Sequence, residues 1–256
     1  MVNRAAALGL AAIALTDHDS VSGVAEAKAE GTRRGVRVIG GCEFSVAAPW
    51  GEMHLLAYFL DADSPGLGVF LEDTRARRAS RAVEIVSRLN AMGVAISVDD
   101  VLAESGGGAI GRPHVGRALI KRGAVRGLNE AFDKYIGRGK AGFVPKVLPA
   151  LGDVCDLVHA AGGITSAAHL KDRGTRGALR KFQAAGLDAL ETRHPSHQPE
   201  QRASLTDLAL ELGLLRTGGS DWHGDGLAGE SHGPMGSQSV PLEWLTLMEQ
   251  RAKEHA

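Results

Sequence analysis

AIALTDHD at residues 12–19 decides how this chain is built, and TGGSDWHG at residues 217–224 repeats its logic near the other end. In the first stretch, apolar residues 12–15 read as a short buried strand, with Asp17, His18 and Asp19 emerging from its C-terminal tip. In the second, Asp221 and His223 follow another short run. Metal ligands at the C-terminal tips of strands point to a β/α barrel whose mouth carries the chemistry.

The rest of the chain supplies similar ligands beside runs that read as buried parallel strands. VRVIGGCEF ends near Glu43, MHLLAYFL begins near His54, GGITSAAHL ends near His169, and LDALETRHPSH carries Glu191, His194 and His197. Imidazole and carboxylate without thiolate suit Zn, Mn or Fe, and several of them at one mouth suit two or three ions bridged by a carboxylate. Such a site polarises a phosphoryl oxygen and acidifies bound water, so phosphoester hydrolysis is the reaction expected first. His159, His232 and His255 have no motif around them and read as ordinary surface or packing residues.

Composition narrows the partners. A chain of 256 residues with 44% hydrophobic content can bury a full core. A formal net charge of -1 gives no global attraction for long nucleic acid, and 4% aromatic content argues against a base-stacking platform. Small substrates, with no long duplex and no membrane, are therefore expected. Cys42 and Cys155 lack metal-type spacing and read as reduced thiols of a cytoplasmic protein, and no apolar run reaches membrane-spanning length.

Strand and helix signals alternate from residue 1 to 66, with glycines at the turns, and resume from 151 to 256. Alternation of this kind implies parallel strands with helices packed outside. Residues 67–150 instead read as helices alone, beginning with one long amphipathic pattern over 67–92. That stretch is expected to be a helical insertion capping a barrel mouth.

The set TDHDSVSG, GCEFSV, HLLAYFL, GRPHVGRAL, AFDKYIGRGKAGFVPK, AAHL, LETRHPSH and TGGSDWHG resembles the PHP (polymerase and histidinol phosphatase) superfamily. More narrowly it resembles the branch that holds a bacterial 3',5'-nucleoside bisphosphate phosphatase, also an exoribonuclease on short RNA. The resemblance implies a distorted seven-stranded β/α barrel with a helical insertion, carrying two or three Mn, Fe or Zn ions and hydrolysing a phosphate ester of a small nucleotide or 5'-phosphorylated short RNA. It implies that His18 and His223 share one ion, that Glu43 bridges two, that His54 and His169 serve the second, and that Asp221 completes the first. Arg112 and His114 would contact substrate phosphate, with His194 and His197 nearby. The planar guanidinium of Arg112 suits phosphate oxygens, and an imidazole such as His114 or His194 suits proton donation to a leaving oxygen near neutral pH.

Two features depart from the family pattern. The His-x-His strand that opens it, with the Asp that follows, has no counterpart here, and Leu170 stands where proline usually follows the histidine. The fold expected is thus the barrel without its first strand, holding fewer ions, and a misplaced start or truncated chain explains it better than a natural product of this length. Loss of an interior strand would leave its neighbours with unpaired edges, at about 1–3 kcal/mol for each buried unsatisfied group.

Other readings stay open on sequence alone. His18 between two aspartates also suits an Asx-type turn capping the helix after it, and Glu43 with His54 also suits an internal hydrogen-bonded pair. For the whole chain, the alternatives are another phosphomonoesterase, such as a histidinol-phosphate phosphatase, and an inactive barrel with a nucleotide-binding or regulatory role.

Overall fold

The computed structural model describes residues 1–224 and 232–255, which fall into two compact units. The first comprises Met1–Gly68 with Leu148–Ala256, and the second Val69–Val147.

The first unit is a curled six-stranded sheet, a half-barrel, with strands in the order of the chain. Helix α1 (Val2–Ala7) leads into β1 (Ala12–Leu15), α2 (Val24–Arg34), β2 (Arg37–Ala48) and β3 (Gly51–Tyr58). After the second unit come α7 (Leu151–Ala160), β4 (Ile164–Ala167), α8 (Arg176–Ala184), β5 (Ala189–Arg193), α9 (Pro199–Leu212), β6 (Leu215–Gly218) and α10 (Leu242–His255). Gly35 and Gly213 end α2 and α9 in the left-handed region, with φ of 68° and 67°, where a side chain would be strained. Among the described residues, β1 and β6 each pair along one side only, so the sheet is open between them.

The expected all-parallel order requires correction. β2 pairs antiparallel with β3, and β3 antiparallel with β4, while the other neighbours are parallel. Two strands joined by two residues can only form a hairpin, because a parallel return needs a crossover of a dozen residues or more. The turn Ala48-Pro49-Trp50-Gly51 supplies it, with Gly51 at φ 117°. As a result β2 runs on to Ala48, and Glu43 lies within the strand instead of at its end.

Close packing on β2 explains Gly40 and Gly41, two residues before the site. A Cβ on Gly41 would collide with the carbonyl oxygen of Ala57 on β3, and one on Gly40 would overlap Val24 of α2. Backbone cannot yield cheaply, so the neighbouring strand fixes glycine there.

The second unit is helical. It holds most of α3 (Pro65–Ala91), then α4 (Val98–Ser105), α5 (Arg112–Lys121), α6 (Leu128–Ala131) and a π-helical turn over Phe132–Ile136. Leu89, Val101, Leu119 and Ile136 centre its own core. Ser97 caps α4 reciprocally with Asp100, and Pro113 sits in the first turn of α5, where a missing N–H costs nothing. No helix among the described residues is long and apolar enough to cross a membrane.

Candidate active site

Register places the ligands before any side chain is considered. β1 and β2 pair with a constant offset, Ala12 opposite Arg37 and Leu15 opposite Gly40, and the same offset reappears past the end of β1 as an isolated bridge of His18 to Glu43. Two bonds hold it: the Asp19 N–H donates to the Glu43 carbonyl at 3.0 Å, and the Glu43 N–H to the Asp17 carbonyl at 3.1 Å. Across the hairpin, Ser45 faces His54. Glu43 is two residues from Ser45 and shares its face, which makes Glu43 and His54 diagonal neighbours.

The Glu43 carboxylate is nearly buried, at 5% exposure, and three imidazoles converge on it. His54 Nδ1 stands 2.8 Å from one oxygen, His169 Nε2 3.4 Å from the same oxygen, and His18 Nδ1 3.6 Å from the other. Burial would raise the Glu43 carboxyl, but His18, His169 and His54 overcome it and hold it well below the usual carboxylate range. His169 comes from the loop after β4, where its N–H donates to Glu191 Oε2 at 2.8 Å. Glu191, buried on β5, is pushed well above its ordinary range, chiefly by desolvation, and the hydrogen bond it accepts steadies this loop.

A second group lies past β6. Asp221 Oδ2 is 2.7 Å from His232 Nδ1 and 3.5 Å from His194 Nε2, and its Oδ1 is 3.5 Å from His223 Nδ1. Rings continue from one group to the other: His232 to His223 at 4.2 Å between centroids, His223 to His18 at 6.4 Å, then His54, His169, His194 and His197 at 4.8 to 5.5 Å. The donors thus form one continuous basin, with His18, Glu43 and His54 close enough to share a cation, and Asp221, His223 and His232 close enough to share another. Hard carboxylate and borderline imidazole fit a divalent ion, and no cysteine joins either group.

Backbone strain marks the same place. Asp19 (φ 47°), His169 (φ 34°) and Asp221 (φ 49°) lie in the left-handed region, which non-glycine residues occupy at a cost of order 1–3 kcal/mol. The Glu43 carbonyl and the Glu191 side-chain oxygen accept the N–H groups of the first two. Each bend turns its loop into the basin.

His194 is fully enclosed, and its hydrogen bonding sets its tautomer. The Ser196 N–H donates to Nδ1 at 3.1 Å, with the Ser196 hydroxyl at 2.8 Å, so the lone pair is on Nδ1 and the proton on Nε2, facing Asp221. Desolvation lowers its pKa further. A neutral ring of this tautomer is a hydrogen-bond donor through Nε2. His197 is buried beside it and brought down to about 4, again by desolvation first and then by His194, so it too is neutral.

Of the residues singled out in the sequence, His18, Glu43, His54, His169, His194, His197, Asp221 and His223 gather here. His18 stands nearer Glu43 and His54 than His223, with which the resemblance pairs it. Arg112 and His114 belong to the helical unit. There Arg112 sits over the rings of Phe132 and Phe143 at 5.4 and 5.2 Å and reaches the Ile136 carbonyl, while His114 Nδ1 accepts the Gly111 N–H at 2.9 Å. Desolvation lowers His114 first, then Arg117 and Arg78, leaving a neutral ring with Nε2–H. His232, read from sequence as ordinary, is a correction: it touches Asp221. Nothing local announced it, since it follows a glycine-rich stretch without hydrophobic period.

His54 gives the site a pH signature. Burial lowers it, but the carboxylates of Glu43 and Glu52 more than compensate and raise it to about 9 from 6.5. A pKa raised on folding stabilises fully below about 6.5 and loses that contribution as pH rises through about 9. Metal-stripped protein should therefore lose stability over that window, by on the order of 1–3 kcal/mol. Ion-loaded protein, which needs the imidazole neutral, should not. Urea unfolding at several pH values, with and without chelator, reads this; a flat profile for stripped protein would contradict the pairing of His54 with Glu43.

A half-barrel carrying imidazoles and carboxylates on its strands and the loops that follow them belongs to a metal-dependent α/β enzyme. The profile of the PHP domain family matches residues 1–88. The chain is 34% identical over 241 residues to the 3',5'-nucleoside bisphosphate phosphatase of Chromobacterium violaceum, covering 91% of this chain and 84% of that protein. It is 32% identical over 228 residues to a 5'-3' exoribonuclease of Haemophilus influenzae, covering 87% and 83%. Among solved structures, a candidate metal-dependent phosphoesterase from Bifidobacterium adolescentis superposes with a TM-score of 0.88 at 32% identity, covering 98% of this chain and 89% of that one. The chain belongs to the PHP domain family.

Proposed function

We propose that this enzyme hydrolyses a phosphate ester of a small nucleotide, removing the 3'-phosphate of a 3',5'-nucleoside bisphosphate or trimming 5'-phosphorylated short RNA. The convergence of three imidazoles on the buried Glu43 carboxylate, beside the Asp221 group, carries the reading. Two cation positions are proposed: one at Glu43 with His18, His54 and His169, the other at Asp221 with His223 and His232. Mn, Fe or Zn would suit them. When bound, divalent ions polarise a phosphoryl oxygen and acidify coordinated water.

The chain's own groups do the rest. Glu43, ionised and shared, orients His54 and His169 through their ring nitrogens. Glu191 pins the His169 loop by its backbone, and Asp221 fixes His232. His194, enclosed with its Nε2–H toward Asp221, steadies that carboxylate beside His232. Arg112 and His114 are assigned to substrate phosphate from the family resemblance, Arg112 through a fork that matches two oxygens. The near-neutral net charge of -1 favours small substrates over polynucleotides. Two buried thiols, Cys42 and Cys155, suit a reducing compartment, and the protein is assigned to the cytoplasm.

A panel of phosphate esters assayed with Mn2+ tests the substrate. A 3',5'-bisphosphonucleotide or 5'-phosphorylated short RNA should turn over faster than histidinol phosphate; the reverse order would reject the nucleotide reading. In the same assay Arg112→Ala should raise KM about 10- to 100-fold with metal content unchanged, the cost of one charge-assisted contact. An unaltered KM would remove Arg112 from the substrate site.

A further inference from the structure

Glu43 accounts for one nitrogen of the His54 ring; the other nitrogen faces a second carboxylate. His54 Nδ1 stands 2.8 Å from Glu43 Oε1 and 3.2 Å from His169 Nε2, on the side where a cation is proposed. Its Nε2 stands 3.5 Å from Glu52 Oε1. The two nitrogens of an imidazole point in widely different directions, so the ring lies between two carboxylates.

Local structure puts Glu52 there. Residues 52 and 54 of β3 are two apart and share a face, while Met53 between them turns to the core at 3% exposure. The hairpin end of that strand is fastened. The Trp50 indole N–H donates to the Glu52 carbonyl at 3.0 Å, the Trp50 ring meets Phe182 of α8 edge-on at 5.9 Å between centroids, and the Arg173 guanidinium lies over it at 5.6 Å. Glu52 therefore presents its carboxylate from a held backbone, and at 29% exposure its charge is not costly to keep.

A neutral imidazole carries one proton, and only the nitrogen without it can bind a cation. A carboxylate beside Nε2 keeps the proton there and leaves the Nδ1 lone pair to face Glu43. It also strengthens the ring as a donor, the part that an outer carboxylate plays behind a ligating histidine.

On the reading that a cation binds at Glu43, we propose that Glu52 is a positioning residue for it, fixing the tautomer of His54 from behind the ring. Calorimetric titration of metal-stripped protein with Zn2+ should give the same number of ions for the unsubstituted chain and Glu52→Ala, with one ion held about 10- to 100-fold more weakly in the variant and the other unchanged. In zinc-loaded protein labelled with 15N at histidine, His54 Nε2–H should give a downfield, slowly exchanging proton resonance that Glu52→Ala abolishes. Glu52→Gln, whose amide oxygen still accepts that proton without a charge, should keep the resonance and fall between the two in affinity. A glutamate that only braces the hairpin would lower the melting temperature of the stripped variant and leave both zinc affinity and resonance in place, which would overturn the assignment. Unsubstituted protein that takes up no zinc would instead remove the cation at Glu43, and the role of Glu52 with it.

Discussion

Glu43→Gln is expected to lower kcat/KM by about 10³-fold or more and to reduce the metal content of purified protein. Lewis-acid stabilisation is worth several kcal/mol, and each 1.36 kcal/mol is tenfold in rate. The substitution keeps shape and volume but removes the charge that His18, His54 and His169 share, at 3.6, 2.8 and 3.4 Å. An amide also turns a donor toward nitrogens that need an acceptor. Steady-state kinetics beside elemental analysis and circular dichroism read the result. Activity and ion content near those of the unsubstituted protein, with the fold intact, would mean that Glu43 is a structural hydrogen-bond partner.

Asp221→Asn should cost about 10²–10³-fold in kcat, of the order found for removing one preorganised electrostatic contact. The position has φ 49°, which asparagine adopts nearly as readily as aspartate, so the change tests charge with little backbone strain. Asp221 is the acceptor facing His232 at 2.7 Å and His194 and His223 at 3.5 Å. Losing its charge should weaken one cation position while leaving the Glu43 position filled. Ion content falling by about one per chain is the matching readout, and loss of both ions together would show that the two positions are not independent.

Much of this arrangement is legible in the sequence because strand-end ligands follow apolar runs. AIAL before TDHD and ITSA before AHL mark strands by their flanking turns, and the helical texture after Asp61 marks a stretch with no strands. The hairpin is the harder part: Ala48-Pro49-Trp50-Gly51 interrupts what reads as a βα alternation, so the sequence places Glu43 at a strand end where the structure has it within β2. His232 was hidden for another reason. Its role depends on where it stands beside Asp221, 2.7 Å from the carboxylate, and no periodicity encodes that. His159 and His255 look like polar ends of amphipathic helices, and only the packing of α7 and α10 on β4 and on each other brings both to Asp188.

The basin around Glu43 and Asp221 is expected to bind divalent cations. Anomalous diffraction at the manganese edge, from crystals equilibrated with Mn2+, tests it most directly. One peak is expected among Glu43, His54 and His169 and another among Asp221, His223 and His232. A basin without anomalous density at saturating Mn2+, in crystals whose protein still hydrolyses the bisphosphonucleotide, would contradict it.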